Sequence, residues 1–289
     1  MSASFQQHAI RLSFATQREA SGTLRHMIKP DSALHITDTL LRFTPPQDAL
    51  ANRVVVISGA TGGLGTVLSQ ACASAGATVV MLGKRLNKLE ALYDVIDGIN
   101  AAPQPAIITL DQSTAPEADY VHLAQTLSSE FGTIDALVHT AADLGAPSPL
   151  PDIPQADWSR VMSVNLTSAR LLTNACVPLL KKSNSASVTF TTDSKHGAYW
   201  GAYGVSKAAL LHLAYTYFDE TENQQHDSGN PVVAVNTIDP GPMRTPLRRK
   251  AFPGELENET PTPDTRIGPF LALICRQDQS LNGRFLKLP

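Results

Sequence analysis

The 289-residue sequence has little charge and no strong excess of either sign. Asp, Glu, Lys and Arg make up 17% of the residues, and the formal net charge is −3. Disordered chains and coiled coils carry far more charge than this, and proteins that bind nucleic acid expose an excess of basic side chains. We therefore exclude the first two classes and expect no nucleic-acid partner. The 43% of hydrophobic residues is enough for a large core.

Cysteines are few and scattered, at Cys72, Cys176 and Cys275, with no CxxC pair among them. An odd number without paired spacing argues against a disulfide framework and against structural zinc, and the histidines lack a ligand spacing such as HxxxH. We expect buried free thiols and no metal site. Because no apolar run approaches the ~20 residues that a membrane span needs, we also expect no membrane span and a cytoplasmic location.

The first fifty residues differ in pattern from the rest of the chain. No acidic residue precedes Glu19, and Arg11, Arg18 and Arg25 are spaced seven residues apart. This pattern fits an amphipathic transit peptide, and it equally fits an N-terminal arm that lies on the domain or on a partner subunit. The consecutive prolines in residues 44–48 (TPPQD) then indicate a linker. We divide the chain into an extension with its linker, 1–50, and one domain, 51–289.

From residue 52 onward, short apolar runs alternate with helical patterns. The runs are 53–58 (RVVVIS), 78–82 (TVVML), 106–110 (AIITL), 134–139 (IDALVH), 187–191 (SVTFT), 232–238 (VVAVNTI) and, more weakly, 284–288. Runs that are apolar throughout are typical of strands buried on both faces of a parallel sheet. The alternation predicts an α/β fold with a doubly wound parallel sheet, the Rossmann fold, in a single domain.

A glycine-rich turn joins the first predicted strand to a helical pattern. Its sequence is Ser58-Gly59-Ala60-Thr61-Gly62-Gly63-Leu64-Gly65. A dinucleotide pyrophosphate needs close backbone approach and free N–H groups at a helix N-terminus, and glycines make both sterically possible. The position between strand and helix favours this interpretation over an ordinary tight turn. We predict cofactor contacts from the following residues of the turn: Ser58, Gly59, Thr61, Gly63, Leu64 and Gly65.

The second predicted strand is followed by Lys84 and Arg85, with no Asp or Glu at its end. An acid there would accept hydrogen bonds from the adenosine ribose and favour NAD, whereas basic side chains accommodate a 2′-phosphate. The alternative is a solvated start of a helix, where charge is common. We predict that Lys84 and Arg85 bind the cofactor and favour NADP, with NAD as the other possibility.

Tyr203 and Lys207 open a strong helical pattern after the fifth predicted strand. Residues i and i+4 share one helix face, so the phenol and the ammonium group can lie close together. A phenol with a pKa near 10 is a poor acid–base group at neutral pH, and a nearby cation lowers that pKa. YxxxK alone is a frequent coincidence on solvated helices, but here it follows a predicted cofactor turn.

With these motifs, residues 52 to about 288 resemble the short-chain dehydrogenase/reductase family. The turn spacing Gly59-x3-Gly63-x-Gly65 and the Tyr203–Lys207 pair carry the likeness, and the segment AYWGAYGVSK is similar to the YciK-like bacterial branch. The resemblance implies a Rossmann-fold enzyme that interconverts a carbonyl and an alcohol by hydride transfer with NAD(P). It also implies a homodimer or homotetramer. The basic run 248–250 falls where the family has a mobile substrate loop and could meet an acidic substrate, but we favour a solvated charge run as its explanation.

The resemblance also implies roles for individual residues. Tyr203 would exchange the hydroxyl proton, Lys207 would bind the nicotinamide ribose and lower the tyrosine pKa, and Asn165 would hold a water of a proton relay. Further cofactor contacts would come from Asp111, Ala141, Ala142, Pro240, Gly241 and Thr245. Thr140 and Ala142 replace the Asn and Gly that the family has after its fourth strand.

One position departs from the family more seriously. The family places a Ser about a dozen residues before the Tyr, where it donates a hydrogen bond to the reacting oxygen. Here the loop is shortened, and Thr192, Asp193 or Ser194 can occupy that place. We choose Thr192, which keeps a hydroxyl, because an ionised Asp accepts hydrogen bonds and does not donate them. The departure leaves an alternative function, a catalytically impaired NADP-binding regulatory or scaffold protein.

Overall fold

The apolar runs form the parallel strands of one sheet, which confirms the predicted fold. The computed structural model describes residues 34–35, 38–228, 233–276 and 281–289. Its strands are β1 Leu34–His35, β2 Val54–Ser58, β3 Thr78–Gly83, β4 Ala106–Thr109, β5 Ala136–His139, β6 Ser187–Thr191, β7 Ala234–Asp239 and β8 Phe285–Lys287. They lie in the order β1-β8-β7-β6-β5-β2-β3-β4, and every adjacent pair is parallel. The two-residue strand β1 was not among the predicted runs.

Helices connect the strands and cover both faces of the sheet. They are α1 Asp38–Leu41, α2 Gly63–Ser74, α3 Leu86–Asp97, α4 Glu117–Phe131, α5 Gln155–Met162, α6 Ser168–Leu180, α7 Gly201–Ser228, α8 Pro246–Ala251 and α9 Gly268–Cys275. One π-helical turn, Ser163–Thr167, joins α5 to α6. Helices α2, α3 and α9 pack on one face of the sheet, and α4, α6 and α7 pack on the other. Each described helix is too short or too polar to traverse a bilayer.

Strand β2 shows why the predicted runs are apolar throughout. Its five residues are all buried, with Val54 and Val56 in the core of one face and Val55 and Ile57 in the core of the other. Because successive side chains of a strand point to opposite faces, a strand covered on both sides needs an apolar residue at every position. Burial of one such side chain contributes about 1.5–3 kcal/mol.

The sheet places the predicted site at one edge. Strand β2 lies between β3 and β5, so the connections that leave β2 and β5 diverge to opposite faces. In open parallel sheets this switch point opens a crevice at the carboxyl ends of the strands. The glycine-rich turn follows β2, the segment Thr140–Ala142 follows β5, and Pro240 follows β7. The predicted residues therefore meet at the same edge.

The described part of the chain before residue 51 contacts the domain. Leu50 is fully buried in the core beside α2, and its N–H donates to Ala75 O at 2.8 Å. Leu41 and Phe43 pack against the same core. The division at residue 50 stays a prediction, although these contacts join residues 38–50 to the domain. The arginine pattern that indicated a transit peptide lies outside the described residues.

We predict that Gly268→Ala destabilises the protein by about 1–3 kcal/mol through overpacking. A Cβ at Gly268 would lie 2.8 Å from Leu40 O and still closer to Leu41 O, which would force α1 away from α9. Urea unfolding measures the change. Gly254→Ala is the matched control, since a Cβ there has no atom within 4 Å. Equal stability of the two variants would show that α1 is not docked on α9.

Candidate active site

A cavity of about 890 Å³ lies at the carboxyl edge of the sheet. All of the predicted site residues line it except Ser58 and Asn165. It extends from the start of α3, past the glycine-rich turn and the start of α7, to helix α8. This volume is in the range of small-molecule and cofactor sites. The described residues contain no group of three or more His, Cys, Asp or Glu side chains placed to hold a metal.

Glycines let the turn after β2 touch the neighbouring chain. Gly59 has a φ of +71°, and a Cβ there would lie 2.6 Å from the Ala141 backbone. A Cβ on Gly63 would lie 2.6 Å from the Thr245 side chain. Helix α2 begins within this glycine-rich sequence, at Gly63, and its N-cap Gly62 forms no side-chain capping bond. The first N–H groups of the helix thus face the cavity without an intrahelical partner, an arrangement that fits a phosphate group.

Ser58, which was predicted to bind the cofactor, does not line the cavity. Ser58 is fully buried, and its carbonyl oxygen accepts hydrogen bonds from Thr140 N at 3.1 Å and Thr140 Oγ1 at 2.7 Å. Thr140 thus fastens the end of β5 to the end of β2, while Ser58 lies behind the cavity wall. The adjacent His139 stacks on Phe190 and contacts Thr173 Oγ1 at 2.9 Å. Its burial lowers the pKa of His139 to about 3, so this imidazole is neutral.

Lys84 and Arg85 stand at the far end of the cavity with different surroundings. Lys84 Nζ lies 3.7 Å from Asp111 Oδ2, and both side chains are exposed. Asp111 also accepts hydrogen bonds from Ser113 Oγ at 2.6 Å and Ser113 N at 3.0 Å. The Ser113 hydroxyl, the Ser113 N–H and Lys84 lower the pKa of Asp111. Arg85 forms no ion pair within the described chain, so its charge is available to an anion.

Tyr203 and Lys207 lie together at the start of α7, as the helical spacing predicts. The Tyr203 hydroxyl donates to Asp193 Oδ2 at 2.9 Å. Lys207 Nζ lies 5.8 Å from the Tyr203 ring centroid and donates to Thr191 O at 2.8 Å. Burial lowers the pKa of Lys207 to about 8, against the opposing charges of Asp193 and Asp239. The lysine is therefore close to its titration midpoint near neutral pH.

The expectation that Lys207 lowers the tyrosine pKa is wrong for this arrangement. Burial raises the pKa of Tyr203 well above its usual value, and the charge of the hydrogen-bonded Asp193 raises it further. The carboxyl group faces the hydroxyl directly, whereas the ammonium group lies 5.8 Å from the ring centroid. Tyr203 is thus a protonated phenol at neutral pH and can donate its proton.

Asp193, and not the predicted Thr192, is the side chain that contacts Tyr203, while the role of Thr192 toward a substrate oxygen stays a prediction. The Thr192 hydroxyl donates to Ile238 O at 3.3 Å, toward β7 and away from the tyrosine. Ser194 donates through its N–H and its hydroxyl to Asp239 Oδ2. Asp193 lies between them and faces Tyr203, and its pKa is raised by burial and by the charge of Asp239.

Asp239, the last residue of β7, is a site residue that the sequence analysis missed. Besides Ser194, it accepts a hydrogen bond from Gly241 N at 3.0 Å. It therefore ties the loop that carries Asp193 to the loop that carries Gly241, both of which line the cavity. The available signal was an acid that ends an otherwise apolar strand directly before a Pro-Gly pair.

Asn165 lies in the π-helical turn and is buried behind Tyr203. Its Nδ2 donates to Asp143 O and to Ser206 Oγ, both at 2.9 Å, and its Oδ1 accepts from Asp143 N at 2.7 Å. The side chain thus joins the chain after β5 to α7 and has no donor left for a water. Its role in a proton relay stays a prediction.

The start of α7 and helix α8 give the other end of the cavity its aromatic side chains and a paired arginine. Trp200 lies 5.9 Å from both Tyr203 and Phe252, measured between ring centroids. Arg248, in α8, donates to Glu255 at 2.8 and 2.6 Å and lies over the Phe252 ring. Thr245 caps α8 by accepting a hydrogen bond from Arg248 N at 3.1 Å.

A parallel sheet with a glycine-rich turn at its switch point and a Tyr–Lys pair beside it defines an oxidoreductase of the Rossmann type. The sequence pattern of one such family, described as short chain dehydrogenase, matches residues 53–256. The chain belongs to this family, which confirms the family resemblance and the prediction of an enzyme.

Relatives share the fold over most of their length. The oxidoreductase YciK of Escherichia coli (strain K12) is 33% identical over 246 residues, which cover 84% of this chain and 94% of YciK. A short chain dehydrogenase from Pseudomonas syringae is 37% identical with a TM-score of 0.79, covering 85% of this chain and 98% of its own. One from Shigella flexneri 2a, complexed with NADP, is 31% identical with a TM-score of 0.78, covering 84% and 99%.

We predict that Asp239→Ala destabilises the protein by about 1–3 kcal/mol, since it leaves the N–H groups of Ser194 and Gly241 without their acceptor. Urea unfolding again measures the change. Asp219→Ala on the exposed face of α7 is the matched control and should stay within about 0.5 kcal/mol of the parent. If both variants are as stable as the parent, Asp239 does not hold the two loops.

Proposed function

We propose that this oxidoreductase interconverts a carbonyl and an alcohol with NADP(H) at a centre built on Tyr203. One observation carries the proposal: the Tyr203 hydroxyl lies in the cavity that the glycine-rich turn enters, with Asp193 at 2.9 Å and the buried Lys207 behind the ring. The proton donor and the proposed cofactor site thus line the same cavity. The homodimer or homotetramer and the cytoplasmic location stay predictions.

The residues present fit a dinucleotide. The N-terminus of α2 borders the cavity, the glycines beside it bring the backbone close to neighbouring chain without a Cβ, and Arg85 supplies a cation with no ion-pair partner in the described chain. No acid follows β3 to bind the ribose hydroxyls. The complexes of the Shigella relative with NADP and of an Escherichia coli CFT073 relative with NADPH support the same choice of cofactor.

The chain's own residues supply the proton chemistry, and bound NADPH supplies the hydride. Tyr203 donates its phenolic proton to the oxygen of the substrate as that oxygen becomes negative. Lys207 offsets the charge that this transfer leaves on the phenolate. Asp193 assists only in its acid form, because a protonated carboxyl donates a hydrogen bond to the oxygen whereas a carboxylate repels it.

Tyr203→Phe keeps the ring and removes the transferable proton. We expect this variant to bind NADPH as the parent does and to reduce ketones and aldehydes about 10²–10⁴-fold more slowly. Nicotinamide absorbance measures the rate, and NADPH fluorescence titration measures the binding. A turnover equal to that of the parent would refute the role of Tyr203.

The pH dependence of carbonyl reduction follows from Asp193. Since burial raises its pKa, the acid form persists above the usual range of an aspartic acid and is lost as the pH rises further. We expect kcat/KM for ketone reduction to fall with rising pH in the parent. In Asp193→Ser, whose hydroxyl donates at every pH, this fall should be absent, and any remaining loss of activity should follow the deprotonation of Lys207, whose pKa the loss of the Asp193 charge lowers further. Parallel profiles for the two proteins would contradict this role of Asp193.

Cofactor preference should depend more on Arg85 than on Lys84, which already has Asp111 beside it. Loss of a charge-assisted hydrogen bond costs about 1.5–3 kcal/mol. We therefore expect Arg85→Ala to weaken NADPH binding about tenfold or more, Lys84→Ala to weaken it less, and both variants to bind NADH like the parent. Equal NADPH affinities in the parent and in Arg85→Ala would show that Arg85 does not bind the cofactor.

A second candidate function is NADP-dependent regulation or scaffolding without turnover. The observation that favours it is Asp193, which stands where the family has a hydroxyl donor. Tight NADPH binding with no reduction of any carbonyl or imine tested would support this function over the first.

A further inference from the structure

We propose that the same centre reduces C=N bonds, and that its substrates are cyclic imines with an apolar or aromatic body whose nitrogen binds Asp193. The inference rests on the proposed function for its cofactor and for the cavity beside Tyr203. In this reaction the substrate atom that is protonated and that binds Asp193 is nitrogen in place of oxygen.

The hydrogen bonds of Asp193 leave room for such a ligand. Oδ2 accepts from the Tyr203 hydroxyl and Oδ1 accepts from Lys195 N, each at 2.9 Å. An ionised carboxylate has about four acceptor sites and no donor, so one site on each oxygen remains. An N–H group of a protonated imine or of an amine matches this acceptor. A carbonyl oxygen has no hydrogen to offer.

The charges around Asp193 also favour a cation. Asp193 and Asp239 face one buried cation, Lys207, whose ammonium group is already bound to Thr191 O. Lys195 is exposed and lies near Glu255, which already pairs with Arg248. Two carboxyl groups thus surround one ammonium group, an arrangement in which a protonated nitrogen is a favourable further partner. A carbonyl that becomes an alkoxide brings a negative charge next to these carboxyl groups instead.

The reaction balances with the groups named. Asp193 in its acid form protonates the imine nitrogen and becomes the carboxylate that pairs with the N–H of the iminium. The iminium carbon then accepts a hydride from NADPH, the π bond breaks, and its electron pair stays on nitrogen. The net change is R₂C=NR′ + NADPH + H⁺ → R₂CH–NHR′ + NADP⁺. The carbon is reduced and the nicotinamide is oxidised.

The rest of the cavity fits the body of such a molecule. Trp200, Phe252 and Leu247 line the aromatic end of the cavity, opposite Lys84 and Arg85. Arg248 is held by Glu255 and stacks on Phe252 at 3.7 Å, so its charge is not available to an acidic substrate. An apolar or aromatic ring therefore suits this end better than a carboxylate or a phosphate.

The first experiment measures binding by calorimetry and does not depend on turnover. The probes are 1,2,3,4-tetrahydroisoquinoline, an amine, and isochroman, in which oxygen replaces the nitrogen in the same ring system. We expect the parent protein, with NADP⁺ bound, to hold the amine at least tenfold more tightly. Asp193→Asn and Asp193→Ser should abolish the difference, whereas Asp219→Asn, on the exposed face of α7, should keep it. Equal affinities of the parent for both probes would overturn the inference.

The second experiment compares NADPH-dependent reduction of 3,4-dihydroisoquinoline with that of the ketone 1-tetralone. We expect the parent to favour the imine in kcat/KM and Asp193→Ser to shift the ratio at least tenfold toward the ketone. Reduction of the ketone and not of the imine, by the parent and by Asp193→Ser alike, would overturn the inference and leave the proposed function intact. Tight NADPH binding without reduction of either compound would overturn the proposed function and, with it, the inference.

Discussion

Backbone contact between the turn after β2 and the chain after β5 determines where the site lies. A side chain at Gly59 would collide with the Ala141 backbone, and Thr140 fastens the two strand ends through the Ser58 carbonyl. The segments that leave β2 and β5 therefore diverge to opposite faces of the sheet only beyond this contact. The direction of α2, and of the N–H groups at its start, follows from that constraint.

The second organising feature is a group of ionisable side chains brought together by distant parts of the chain. Tyr203 and Lys207 come from one helix, Asp193 from the loop before it, and Asp239 from the end of β7. Each alters the protonation of another: the acids keep the phenol protonated, and burial brings the lysine near its titration midpoint. The phenol therefore holds its proton more tightly, and the lysine less tightly, than the Tyr–Lys spacing alone indicates.

Local patterns explain what the sequence could predict. The strands, the glycine-rich turn and the spacing of Tyr203 and Lys207 depend on neighbouring residues, and these predictions agree with the structure. The side chain beside Tyr203 could not be predicted in this way. Thr192 turns toward a carbonyl of β7, an acceptor that lies far along the chain, and this leaves Asp193 as the residue that faces the tyrosine. The contacts of residues 38–50 with α9 could likewise not be predicted, because they depend on residues far along the chain.

Thr245 links the two ends of the cavity through one side chain. Its methyl group packs where a Cβ of Gly63 would be, and its hydroxyl caps the helix that carries Arg248 at the aromatic end of the cavity. A change at either end must therefore be accommodated by the same residue. In evolutionary terms, the turn after β2 and helix α8 are not independent modules, because both are packed through Thr245. A lineage that alters one of them inherits a constraint on the other, and substitutions in the turn after β2 and in α8 are expected to co-vary.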